Sequence, residues 1–287
     1  MSLTCASSRL LRPNVARIAH GAAALVLALA LPGAVAQFDR PALTASIAPL
    51  EIRPDGAWRG TLGAGFSATA GNTQSLGANL SLDAVRATND NKLSLFGQVL
   101  YAQSEQDGES VKTADQWRLG GRHDWGRKES QAYLFGSSTI ERDTMRQLEL
   151  RTTLGAGVGY RLRREPDLSF EVFSGLGYRG DRYQSPGSLV EGRLVSRYES
   201  VELMLGEESA HKINGNTTWQ QRLMVFPNLS NPGTFRATFE SVVSVAMSRN
   251  LNLSVSLIDR YDSQAAAPLK KNDVLIFTGI NLRYGAR

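Results

Sequence analysis

From Leu148 to Leu162 the chain alternates apolar and polar residues without a break for fifteen positions, a period of two that a helix cannot keep. Leu148, Leu150, Thr152, Leu154, Ala156, Val158, Tyr160 and Leu162 share one face. The other carries Glu149, Arg151, Thr153, Gly155, Gly157, Gly159 and Arg161. Such a segment is a strand with one greasy face and one polar face.

The pattern recurs along the chain. Leu76, Ala78, Leu80 and Leu82 form one apolar face, and Leu93, Leu95, Val99 and Tyr101 another. Leu168 to Tyr178, Phe235 to Val245, Leu251 to Leu257 and Val274 to Tyr284 repeat it. With weaker stretches around Trp58, Trp117, Tyr133, Val201 and Trp219, about twelve segments have the length of a tilted membrane strand. Residues 133–141 and 199–211 are the least regular, and Glu207 falls on the greasier face of the second. The fold class expected is all-β: an antiparallel up-and-down transmembrane barrel of about twelve strands.

Connection lengths fit that architecture, in which short periplasmic turns alternate with longer external loops. With a periplasmic N-terminus, inner turns fall at Asn89-Asp90-Asn91, Gly126-Arg127-Lys128, Glu165-Pro166-Asp167, Asn214-Gly215-Asn216 and Arg249-Asn250. The outer connections, expected to be mostly longer, centre on Asp107-Gly108, Pro186-Gly187, Asn231-Pro232-Gly233 and Ala267-Pro268, with Gly71-Asn72 a tight exception. Trp58, Tyr101, Trp125, Tyr160, Tyr178, Trp219, Tyr261 and Tyr284 cluster near segment ends, where a membrane girdle places aromatics. A soluble β-barrel or sandwich is the competing reading. Twelve strands disfavour it, because a closed barrel of that width is too wide for a packed apolar core.

The N-terminus sets the compartment. Arg9, Arg12 and Arg17 precede an apolar run from Ala22 to Leu31, and Ala34-Val35-Ala36 offers a signal-peptidase site before Gln37. The expected organisation is a signal peptide over 1–36, a short periplasmic segment over 37–56 and an outer-membrane barrel over 57–287. Cys5, the one cysteine, lies in the leader, so the mature chain has neither a disulfide nor a thiolate metal site. The formal charge of +5 includes three leader arginines, and without them 29 basic residues face 27 acidic ones. Nearly balanced charge without a basic run argues against a nucleic-acid partner. The expected partners are outer-membrane lipid and, during biogenesis, the barrel-assembly machinery.

Several stretches resemble the bacterial family of salt-induced outer-membrane proteins, otherwise classed as a domain of unknown function. They are Ser67 to Thr73, Tyr133-Leu134-Phe135-Gly136 with Glu141-Arg142-Asp143, Leu154 to Tyr160, and Tyr261-Asp262-Ser263 with Lys270 to Asp273. The resemblance implies a small outer-membrane barrel and a link to salt or osmotic stress. It supplies no ligand, reaction or catalytic residue. Such barrels commonly end on an aromatic, whereas here Gly285-Ala286-Arg287 follows Tyr284.

No catalytic, cofactor or metal site is legible. His123 and His211 lie near inner strand ends, and the neighbouring Asp124 points to the opposite face from His123. No serine sits in a Gly-x-Ser-x-Gly context. What remains is the polar face. Alternation places Arg118 and Arg122, then Glu149, Arg151 and Arg161, then Glu171 and Arg179, and finally Arg222, Arg236 and Glu240 towards the lumen. They read either as cross-strand charge pairs that fill the interior or as a selectivity lining favouring anions. The functional expectation is a non-enzymatic narrow pore or envelope component. A barrel hydrolase and a module binding through its outer loops are the alternatives.

Overall fold

The computed structural model describes residues 52–69, 75–106, 109–127, 129–190, 192–264 and 271–285. The expected signal peptide and cleavage site, and the loop tips at Gly71-Asn72, Asp107-Gly108 and Ala267-Pro268, lie outside the described residues.

Each alternating segment forms a strand: β1 Trp58–Thr69, β2 Ser75–Ala87, β3 Asn91–Gln106, β4 Glu109–Trp125, β5 Ala132–Asp143, β6 Leu148–Arg164 and β7 Leu168–Tyr183. A small hairpin follows, β8 Ser188–Val190 and β9 Arg193–Val195, then β10 Arg197–Lys212, β11 Thr217–Pro227, β12 Phe235–Ala246, β13 Leu251–Asp262 and β14 Asn272–Gly285. All but β8 and β9 join one closed antiparallel barrel of twelve strands. The two irregular stretches, 133–141 and 199–211, are the strands β5 and β10.

Closure is made by β1 against β14, from Arg59↔Gly285 to Ala64↔Ile280. It removes the free edges that an open sheet would leave in lipid. Every other barrel strand pairs with its neighbour in sequence except β7, which meets β10 across the β8–β9 insertion. The inner turns occur where expected, and side chains stabilise them: Asn214 Oδ1 accepts from the amides of Asn216 and Thr217, both at 2.9 Å. Outer connections are longer in general, but β3 and β4 run on to Gln106 and Glu109, which are cross-strand partners with only two residues between them in sequence. Loop residues have been absorbed into a 16- and a 17-residue strand that outreach the membrane.

The apolar faces point outward. Leu80, Leu134, Val158, Leu176 and Ile276 are each more than half exposed, which a soluble barrel would not tolerate. Trp58, Trp125, Tyr160 and Tyr284 project from the end bearing the short turns, and Tyr101 and Tyr178 from the other. A band of leucine and valine between two aromatic belts is the surface a bilayer requires.

Candidate functional site

Twelve strands enclose a lumen too wide for small side chains to fill, and long ones from the inward positions occupy it. On β10 the inward series reads Glu202, Met204, Gly206, Glu208 from outer to inner end. That order, charge then apolar then charge, holds on the side of the bore from β5 to β11, whereas β13, β14 and β1 turn inward mainly uncharged polar groups such as Asn252, Ser254, Asn281 and Thr61.

The outer layer is a continuous ribbon of ion pairs. Arg118 on β4 lies 3.7 Å from Glu141 on β5, which accepts from Arg151 on β6 at 3.0 Å. Arg151 grips Asp181 on β7 through Nε at 2.6 Å and Nη2 at 2.8 Å. Arg179 Nε donates to the same carboxylate at 3.0 Å, and the Tyr183 hydroxyl donates to it at 2.9 Å. The ribbon continues through Glu202 on β10, 3.6 Å from Arg179, to Arg236 on β12 at 2.7 Å. No side chain among the seven is more than 13% exposed. Four arginines meet three carboxylates, so each acid is shared and one positive charge is in excess.

Beneath the ribbon lies an apolar layer that the sequence reading missed: Tyr133, Phe135, Phe173, Met204, Met224 and Phe226 are buried against one another. The Phe135 and Phe173 rings meet edge to face at 5.7 Å. Glycines create the space. A Cβ on Gly159 would lie 2.1 Å from the Tyr133 ring, and one on Gly155 2.7 Å from the sulfur of Met204. The inward glycines of β6 therefore seat bulky neighbours and leave no passage of their own.

The third layer returns to charge. Arg161, Glu171, Glu208, Arg222 and Glu240 are successive cross-strand partners on β6, β7, β10, β11 and β12. Arg222 Nε donates to Glu208 at 3.2 Å. Beside this row Asp124 receives Arg122 at 2.6 Å and Lys92 at 2.9 Å. The Arg122 guanidinium lies 4.3 Å from the Phe135 ring centre and 4.6 Å from that of Phe173, joining the charged layer to the apolar one.

Of the ten residues that alternation placed towards the lumen, Arg118, Arg151, Arg179 and Arg236 stand in the outer ribbon. Arg122, Arg161, Glu171, Arg222 and Glu240 stand in the inner layer. Glu149 departs from the pattern. It is about half exposed and pairs with exposed Arg182 at 3.0 Å. The register between β6 and β7 shifts at Leu148/Leu150, and the extra residue turns Leu148 inward, to full burial, and Glu149 outward. The ribbon acids Glu141, Asp181 and Glu202, with Asp124 and Glu208 below, were absent from the expected lining. Continuing the parity from Arg179 to Asp181 would have found one of them.

His123 and His211 lie on the outward face, in aromatic contacts: His123 with Trp125 at 4.3 Å and His211 with Trp219 at 5.0 Å. Among the described residues, no three of His, Cys, Asp and Glu are grouped to hold a metal ion.

A closed antiparallel barrel with a lipid-facing apolar belt and a polar interior defines a transmembrane β-barrel of the bacterial outer membrane. The chain belongs to the family described as "Protein of unknown function, DUF481", whose model matches residues 62–285. No curated protein sequence matches it. Among solved structures it is similar to the translocator domain of autotransporter NalP from Neisseria meningitidis, at 12% identity and a TM-score of 0.48, covering 79% of this chain and 88% of that one. It is also similar to the COG4313 outer membrane channel from Pseudomonas putida F1, at 12% identity and a TM-score of 0.49, covering 83% of this chain and 98% of that one.

Proposed function

We propose that the protein is a non-enzymatic outer-membrane component whose bore is closed at rest, and that it serves the envelope through its surfaces rather than as an open diffusion pore. The observation carrying this reading is the layered filling of the lumen. An apolar slab of rings and methionines is held between two sets of paired charges, and Glu141, Glu202 and Glu240 within those sets are 1–2% exposed. A water-filled pore would leave its lining charges hydrated.

The salt link implied by the family resemblance is read as envelope maintenance, not as direct sensing of ionic strength. Buried ion pairs are screened far less than exposed ones, so external salt has little purchase on the ribbon. Lipid contact along the apolar belt and assembly through the outward-facing Tyr284 near the C-terminus belong to the same proposal.

Planar-bilayer recording of the folded barrel is the test. The expected result is a silent membrane at moderate voltage in both low and high salt. Regular unitary steps from the wild-type protein would overturn the closed bore. They would favour instead a narrow pore in which the excess arginine charge selects anions.

A further inference from the structure

We infer that the end of the bore bounded by the short turns is a binding site for a small anion of phosphate or carboxylate chemistry. The cavity there has a volume of about 150 Å³. It is formed by the last inward positions of β10 to β14, and strand register brings them together. Lys212 is the cross-strand partner of Thr218, Thr218 of Ser244, and Ala246 of Asn252. Arg283 on β14 completes the wall.

The donor set determines the chemistry. Two cations, two hydroxyls and several amides line the cavity, and no carboxylate does. In the ribbon and in the inner layer arginines stand beside carboxylates, so this end of the bore differs in kind. Among the described residues Lys212 makes no ion pair. With the Asn252 amide turned to satisfy its neighbours, its oxygen accepts from Arg283 Nε at 2.8 Å and Nη2 at 3.1 Å, which fixes the guanidinium at the cavity wall.

A separate observation points to a ligand. Ser244 is 5% exposed, lines this cavity, and its hydroxyl has no hydrogen-bond partner. A buried hydroxyl left unsatisfied is costly, Ser244 is the one such hydroxyl among this cavity's lining residues, and an anion in the cavity would accept from it. The space is ample for a five-atom oxyanion. The lining consists of inward strand positions and of the inner-turn residues Pro166, Asn214, Gly215 and Asn216, with none of the leucines and valines of the apolar belt, so the occupant proposed is a soluble ion rather than a lipid headgroup. The site does not depend on the bore being closed.

Isothermal titration of the full folded barrel with inorganic phosphate at low ionic strength tests this. One saturable site per barrel is expected. Lys212→Met weakens it about tenfold or more, the loss of one charge-assisted hydrogen bond. Ser244→Ala weakens it severalfold, and Lys212→Arg retains it. Lys112→Met, at the opposite end, leaves binding unchanged, and heat-modifiable gel mobility checks that each variant is folded. No saturable phosphate binding, or binding that Lys212→Met leaves intact, overturns the site.

Discussion

Arg151 and Asp181 face each other across β6 and β7 in a two-pronged pair, Nε to Oδ1 at 2.6 Å and Nη2 to Oδ2 at 2.8 Å, while a third nitrogen of the same guanidinium reaches Glu141 at 3.0 Å. Removing this cation takes one partner from each of two buried acids, leaving Asp181 to Arg179 and Tyr183 and Glu141 to Arg118. Arg151→Met is expected to cost roughly 3–5 kcal/mol of unfolding free energy in urea. Replacing the two acids as well, as Arg151→Met with Glu141→Gln and Asp181→Leu, is expected to recover little of it, because buried Arg118 and Arg179 then lose carboxylates that they share with Arg151. A triple variant markedly more stable than the single one would mean that the two acids alone, and not the sharing of charges along the ribbon, set the cost.

The apolar layer makes a different demand, on space. At Gly157 an added Cβ would lie 2.2 Å from the Ser174 carbonyl oxygen and 2.6 Å from the Cα of Gly175, its partner on β7. Backbone cannot yield as a ring can. Gly157→Val is expected to abolish the heat-modifiable folded form, whereas Gly159→Ala, whose nearest contacts are all at the far end of the Tyr133 side chain, costs about 1–3 kcal/mol by overpacking. Equal effects at the two sites would contradict this distinction between backbone and side-chain contact.

Period-two alternation carried the fold because each barrel strand has one face in lipid and one in the lumen, so the pattern and its cause coincide along Leu80, Leu154 or Ile280. Two things were hidden from it. A bulge changes parity without a signature of its own, which is why Leu148 and Glu149 exchanged faces. The lumen is also not uniformly polar. Tyr133 and Phe135 point inward while Leu134 points out, so β5 showed no clean greasy face, and Glu141 on that strand went unassigned. Glu202 and Glu208 were lost similarly, because on β10 an inward methionine and an outward Glu207 blur both faces. Partners that meet through strand register alone leave no trace in local sequence.

Ahead of the barrel, Asp55 accepts from Arg59 at 2.9 Å, and that hydrogen bond, reinforced by the amide of Ala57, holds its carboxyl well below the usual range. A depressed folded value stabilises above the unfolded one, near pH 4, and the stabilisation is lost as pH falls towards the folded value. Asp55 titration followed by NMR is expected to show a midpoint below that of an unpaired aspartate. Arg59→Gln should return it to the ordinary range. Because the carboxylate is exposed, the change in global stability should be small.

Glu207 is the residue least suited to its place. It lies on the lipid-facing side of β10 between its cross-strand partners Val172 and Leu223, with one oxygen accepting from Gln221 at 3.4 Å and the other buried without a hydrogen bond. Acidic groups on the lipid face of a barrel are destabilising, though less so than basic ones. Leucine would continue the apolar belt that Leu205 and Leu223 already form. Glu207→Leu is therefore expected to raise unfolding free energy in lipid vesicles by about 1 kcal/mol, and Glu207→Gln by less, since an amide still asks for partners in hydrocarbon. A loss of stability in the leucine variant would show instead that the Glu207–Gln221 contact is worth more to the barrel than the lipid penalty it carries.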